Sequence, residues 1–160
     1  MPSGEAYIVP YEGENDPSLT RGIIPVQFEE EIVLFAIQHN RAIGVISTGE
    51  KSREQADYLR REPAYGNIAE LGFGVLGDFS LTPIGEILLD EKLGFHIAFG
   101  RSDHFGGITG PDRFTSPEQV VHIDRIYLPE TQPRIRIASV VAESDSDAIT
   151  LIIDGQYLIF

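Results

Sequence analysis

An α+β fold is predicted for this chain: a twisted, mostly antiparallel sheet or open barrel with one or two helices. Runs of β-branched and aromatic residues at 22–28, 31–37 and 148–153 read as strands, and short turn signals join them, as antiparallel pairing requires. The clearest helix signature is local to a segment beginning at Ser52. No internal repeat or low-complexity segment interrupts the pattern, and 160 residues suffice for one substantial core, so residues 1–160 are expected to form a single domain.

Composition narrows the chemistry. Twenty-five acidic against 12 basic residues give a net charge of −13, which disfavours nucleic acid and anionic membrane surfaces as partners and favours divalent cations. Most of these carboxylates serve as a solvated surface. With no cysteine, the chain has no disulfide, no thiolate metal site and no cysteine nucleophile, so any metal must be held by oxygen and imidazole. No apolar run approaches the ~18 residues of a membrane span and no signal-peptide pattern opens the chain, which predicts a cytoplasmic protein.

In chain order, residues 6–9 can form a strand, with Glu5 at its start; a carboxylate so near a terminus is by default solvent-exposed. Residues 11–20, with Gly13, Asn15, Asp16 and Pro17, are loop. The strands at 22–28 and 31–37 lead to His39-Asn40, the tip of a hairpin whose return strand is 41–46, so His39 is a turn residue. Ser52 and Gln55 form a capping box for a helix to about Arg60, with Ala56 and Leu59 as its apolar stripe. Residues 67–75 are strand-like and carry Glu70 among apolar neighbours. If buried, that carboxylate must be paired, protonated or metal-bound; if the strand is half-buried, Glu70 simply faces water. Residues 79–89 hold Thr82-Pro83 as a helix start and Gly85 as an interruption, and form a short helix or irregular turn. Strands at 134–142, 148–153 and 156–160, with a turn at Asp154-Gly155, close the chain, and both arms of this last hairpin are expected in the core.

Residues 90–100, Asp90-Glu91-Lys92-Leu93-Gly94-Phe95-His96-Ile97-Ala98-Phe99-Gly100, pass from a polar approach into a short apolar run with one histidine in its middle. Alone, His96 reads as a core histidine with a satisfied hydrogen bond. Residues 120–128 repeat the device, and the two-residue period of a strand puts His122 and Asp124 on one face, where imidazole and carboxylate can share a cation. The glycine-rich residues 101–110 leave the end of the first histidine strand, a position that commonly holds substrate. No Gly-Lys-Ser/Thr follows, so this is not a phosphate cradle.

Taken together and in order, Pro2-Ser3-Gly4-Glu5, Ala69-Glu70-Leu71-Gly72-Phe73-Gly74, Leu89-Asp90-Glu91-Lys92, Gly94-Phe95-His96-Ile97-Ala98-Phe99-Gly100 and His122-Ile123-Asp124 resemble the metal-binding half of the aminopeptidase T family of metallopeptidases. The resemblance covers nearly the whole chain and leaves out the family's N-terminal domain. It implies that Glu5, Glu70, His96, His122 and Asp124 form a two-metal site, with zinc, cobalt or magnesium as occupants. Three carboxylates and a bridging hydroxide would carry about −4, balancing two divalent ions. A metallo-aminopeptidase acting on short peptides or another small molecule is the implied activity, with a homodimer as the other partner to test.

One departure from the family stands out. Its aminopeptidases carry a tyrosine in the loop after the histidine strand, where this chain has Asp103-His104-Phe105. Asp103 and His104 are therefore the candidate catalytic residues, His104 as a hydrogen-bond donor to the oxyanion; the alternative is a loop that binds nothing. Asp90 would orient a ligand histidine from behind, or be a plain turn carboxylate. Two further readings stay open: a non-haem Fe(II) ring-cleaving dioxygenase, for which His96, His122 and Asp124 would suffice, and a metal-binding module without turnover.

Overall fold

Two tight hairpins set the framework of the computed structural model, which describes residues 4–158. β2 (Arg21–Phe28) and β3 (Glu31–Gln38) pair antiparallel from Arg21 opposite Gln38 to Phe28 opposite Glu31. His39 and Asn40 then turn the chain with φ of 51° and 62°, the doubly left-handed turn that matches strand twist, and β4 (Arg41–Val45) returns beside β3. The expected turn role of His39 is thus observed. Asn40 also ties this hairpin to the next sheet: its side-chain amide donates to the Ile68 carbonyl and its own carbonyl accepts from the Ile68 N–H.

The helix α1 (Glu50–Arg61) forms as expected, but its cap comes from elsewhere. Ser52 lies buried inside the first turn rather than before it. Glu31 of β3 supplies the cap, its carboxylate accepting from the N–H groups of Lys51 and Ser52 at 3.0 and 2.8 Å and from the Ser52 hydroxyl. The amide of Gln55 instead takes the Tyr65 hydroxyl, at 3.0 Å. An anion at a helix N-terminus satisfies orphan donors and the helix dipole together.

A second antiparallel sheet runs in the order β1 (Glu5–Ile8), β5 (Ile68–Gly74), β6 (Phe95–Gly100), β7 (His122–Ile126). One of its faces supplies Ile68, Ile97, Phe99 and Ile123 to the core, against Val26, Val33, Phe35 and Ile37 of the hairpin sheet and Leu59 of the helix. Phe99 is central, its ring centroid 5.3 Å from that of Phe35 and 5.8 Å from that of Tyr65.

The third sheet, β8 (Ser139–Glu143), β9 (Ala148–Ile153) and β10 (Gln156–Tyr157), corrects two expectations. Residues 134–138 are not strand, because their first amides are taken outside any ladder: Ile135 N–H donates to the Gln132 carbonyl and Arg134 N–H to the side chain of Gln27, 107 residues away. Nor is the last hairpin core, since Ile152 is buried while Ile149 and Ile153 are exposed. Of the expected strand 156–160, residues 159–160 lie outside the described residues.

Between β5 and β6 the chain makes a short turn of 3-10 helix at Leu76–Phe79 and one turn of helix, α2 (Ile87–Asp90), beginning after Gly85 rather than at Thr82-Pro83. The buried Asp90 carboxylate accepts from the N–H groups of Ile84 and Gly85 at 2.9 and 2.8 Å. Asp90 is therefore a turn carboxylate and orients no histidine. The fold class holds as α+β with antiparallel sheets, and among the described residues none of the three sheets closes into a barrel. No helix among them is long and apolar enough to cross a membrane.

Candidate metal centre

Strand register decides which side chains meet. Ala98 stands opposite both Glu70 on β5 and Asp124 on β7, while His96 stands opposite Gly72 and Gly100 opposite His122. Residues two apart share a face, so Glu70, His96, His122 and Asp124 all rise from the face opposite the core. Glu5 joins them, being opposite Gly74. For Glu70 this depends on a bulge: Ile68 pairs with Phe99 but Glu70 with Ala98, so Ala69 is an extra residue. Without it Glu70 would face Ile97, on the core side.

Small residues make room between these side chains. A Cβ at Gly72 would lie 1.9 Å from His96 Nε2, and one at Gly74 would lie 2.3 Å from the Glu91 carbonyl. The glycines of this motif are therefore the floor under the histidine and under the Glu91–Lys92 turn. His96, Glu70 and Asp124 are 0%, 3% and 7% exposed, and a donor atom from each lies within 4.8 Å of the others. The water-facing reading of Glu70 does not hold.

Both histidine rings are oriented by the backbone. His96 Nδ1 donates to the Gly94 carbonyl at 3.0 Å and His122 Nδ1 to the Arg101 carbonyl at 2.7 Å. Each ring thereby turns Nε2 toward the carboxylates, the arrangement that metal-binding histidines adopt. His96 Nε2 is 3.4 Å from Glu70 Oε1, and His122 Nε2 is 3.2 Å from Glu70 Oε2 and 3.5 Å from Asp124 Oδ1. That Asp124 oxygen is buried without a well-aligned donor.

Protonation of the cluster shows what it demands. Burial opposes charge on Glu70, but hydrogen bonds from His122 and His96 outweigh it and bring its pKa down to about 2. Burial likewise opposes charge on His122, yet Asp124 and Glu70 push its pKa up to about 10, and Glu70 raises that of His96. With no metal, protons on the imidazoles supply the positive charge that the carboxylates require. A divalent ion would take their place on the same Nε2 atoms, so the donor set fits a metal on its own chemistry.

Glu5 meets a different cation. Its carboxylate is 2.8 Å from Lys92 Nζ, which also lies 3.1 Å from Glu91 Oε1. Burial holds the Glu91 carboxyl above its ordinary value despite the Lys92 hydrogen bond, and the charges of Asp124 and Glu5 act in the same direction. Lys92 and Glu91 are thus part of the cluster, although the sequence marks them only by their place in a motif.

The loop after β6 reaches the same face. In the turn Asp103–Phe105, the His104 ring stands edge-on to His122 with centroids 4.9 Å apart, and Phe105 lies 5.3 Å from His122 and 4.7 Å from Tyr7. Burial, then the neighbouring His122 and Arg101 charges, lowers the His104 pKa, which keeps its imidazole neutral at pH 7. The Asp103 carboxylate instead pairs with Arg101, and His104 Nδ1 is 3.9 Å away.

Glu12, which composition assigned to plain loop, is buried. Its carboxylate accepts from Asn67 Nδ2, from the Ser102 hydroxyl at 2.8 Å and from the Ile108 N–H, so it anchors both ends of the loop that carries His104. Its one sequence signal is Gly107, where a Cβ would lie 2.7 Å from Glu12 Oε2.

Comparison with known proteins places the fold more firmly than the family. No protein-family model and none of the curated proteins matches the sequence. Among solved structures, wild-type AmpT from Thermus thermophilus matches with a TM-score of 0.57 at 16% identity, over 98% of this chain and 40% of that one. The chain spans about two-fifths of that protein's length and shares its fold over that part.

Proposed function

We propose that this chain is a metal-dependent, aminopeptidase-like hydrolase that removes N-terminal residues from short peptides through a two-metal site. The observation that supports it best is the buried group Glu70, His96 and Asp124, whose donor atoms converge within 4.8 Å while a backbone carbonyl orients the histidine ring. Glu70, with one oxygen toward each histidine, would lie between two ions; His122 and Glu5 would complete the ligand set. The likeness to AmpT and the order of the sequence motifs agree with this reading.

Divalent zinc, cobalt or magnesium held there would supply a water of lowered pKa and polarise the scissile carbonyl. The chain's own residues do the remainder. His104, neutral and at the edge of the cluster, can donate a hydrogen bond to the oxyanion where the family's aminopeptidases use tyrosine. Tyr7 and Phe105 wall the same edge with aromatic surface, suited to an apolar N-terminal side chain. Asp103, paired with Arg101, would hold the turn that carries His104. A cytoplasmic homodimer without nucleic-acid or membrane partners belongs to the same reading.

Metal analysis of wild type and Glu70→Ala tests it. About two divalent ions per wild-type chain, loss of metal in the variant, and release of an N-terminal residue from short peptides with cobalt or zinc are expected. One iron per chain, kept by Glu70→Ala and accompanied by oxygen uptake on a dihydroxylated ring, would assign the site to a dioxygenase. Two bound ions with no turnover of any peptide would leave a metal-binding module.

A further inference from the structure

The acidic face already contains one cation of its own. Glu5, Glu70, Glu91 and Asp124 bring four carboxylates to it, and the Lys92 ammonium sits between Glu5 and Glu91 at 2.8 and 3.1 Å. Its side chain is 23% exposed and those of Glu5 and Glu91 are 12% and 13%, so these contacts are shielded from most solvent. Glu70 and Asp124 instead face the imidazoles of His96 and His122.

We infer that Lys92 is a built-in competitor for the second metal position: its ammonium holds Glu5 while one ion is bound and retreats onto Glu91 when a second ion takes the Glu5 carboxylate. The inference rests on the two-ion reading above. Charge supports the exchange. With Lys92 paired to Glu91 those two residues cancel, leaving Glu5, Glu70, Asp124 and a hydroxide to balance two divalent ions. With Lys92 on Glu5, the remaining carboxylates at the first position, Glu70 and Asp124, balance one. The chain would thus load in two steps, the Glu70, His96 and Asp124 position first and the Glu5 position second and more weakly. Because the ammonium already lies within reach of both carboxylates, at 2.8 and 3.1 Å, it can pass from one to the other by side-chain rotation alone.

The test is a calorimetric titration of the metal-free chain with Co(II), comparing wild type, Lys92→Met and Glu91→Gln. Two steps are expected in wild type. Lys92→Met should tighten the second about tenfold and leave the first within about twofold, because the competitor is gone. Glu91→Gln should weaken the second step, because the displaced ammonium then has no carboxylate to receive it. Opposite signs from two neighbouring substitutions are not what general loosening of the turn would give. Two ions in every protein, with the second step unchanged or weaker in Lys92→Met, overturns the role of Lys92 and leaves the two-metal reading standing. A single step of one ion in wild type and in Lys92→Met overturns both.

Discussion

The two faces of the sheet formed by β1, β5, β6 and β7 come from the same strands and obey opposite rules. On the core face Ile97, Phe99 and Ile123 pack against the hairpin sheet, and the one charged group beside them, Arg125, lays its guanidinium 4.7 Å over the Phe28 ring. On the other, Gly72, Gly74 and Ala98 clear space among Glu70, His96 and Asp124, which are buried, and the half-buried His122. One face stabilises by removing carbon from water. The other costs stability until a cation arrives, because like charges are held together away from solvent. The difference teaches that the packing that stabilises this chain and the donor cluster that could hold a metal are carried separately, strand by strand, through odd and even positions.

Breaking the apolar face should have the largest effect. Phe99→Ala removes a fully buried ring that touches Phe35 and Tyr65, and should cost about 3–5 kcal/mol in denaturant unfolding. Metal affinity of the fraction that stays folded should be unaltered, and its loss would show that the faces are not independent.

Metal removal addresses the other face. At a free concentration about 100 times the dissociation constant, bound metal contributes about 2.7 kcal/mol, so chelation should lower Tm by several degrees. A melting curve that ignores the chelator would mean that the buried donors hold no ion in solution.

The metal-free protein should also depend on pH in a way the core face cannot produce. The His122 pKa is raised from 6.5 to about 10, so its contribution is complete below about 6.5 and is lost as pH rises toward 10. That of Glu70 is depressed from 4.5 to about 2, so its contribution is complete above about 4.5 and is lost as pH falls toward 2. Metal-free stability should thus peak between about pH 4.5 and 6.5. Loaded protein should shift the other way on its alkaline side, because metal binds the deprotonated Nε2, and the chelator effect should grow from pH 6 to 8. Thermal melts at these pH values, with and without chelator, would show whether the two curves diverge.

The smallest change in stability is expected at the rim. His104→Ala should keep the metal and move unfolding by no more than about 0.5 kcal/mol, while lowering turnover. Metal loss equal to that of His96→Ala would instead make His104 a ligand.

What the sequence determined by itself is what short-range rules govern. The strands of the first two hairpins, the turn at His39-Asn40 and the shared face of His122 and Asp124 follow from periodicity and turn chemistry within a few residues. The ligand types follow too, since an acidic chain without cysteine leaves oxygen and imidazole. Tertiary structure decided the rest, because each outcome depends on a partner far along the chain. The bulge at Ala69 that turns Glu70 out of the core exists only in its pairing with β6. Glu31 displaced Ser52 as the helix cap from 21 residues away, and Glu12 became a buried anchor through Asn67 and Ser102. Lys92 entered the acidic face only once β1 brought Glu5 beside it, a contact across 87 residues that no local pattern encodes.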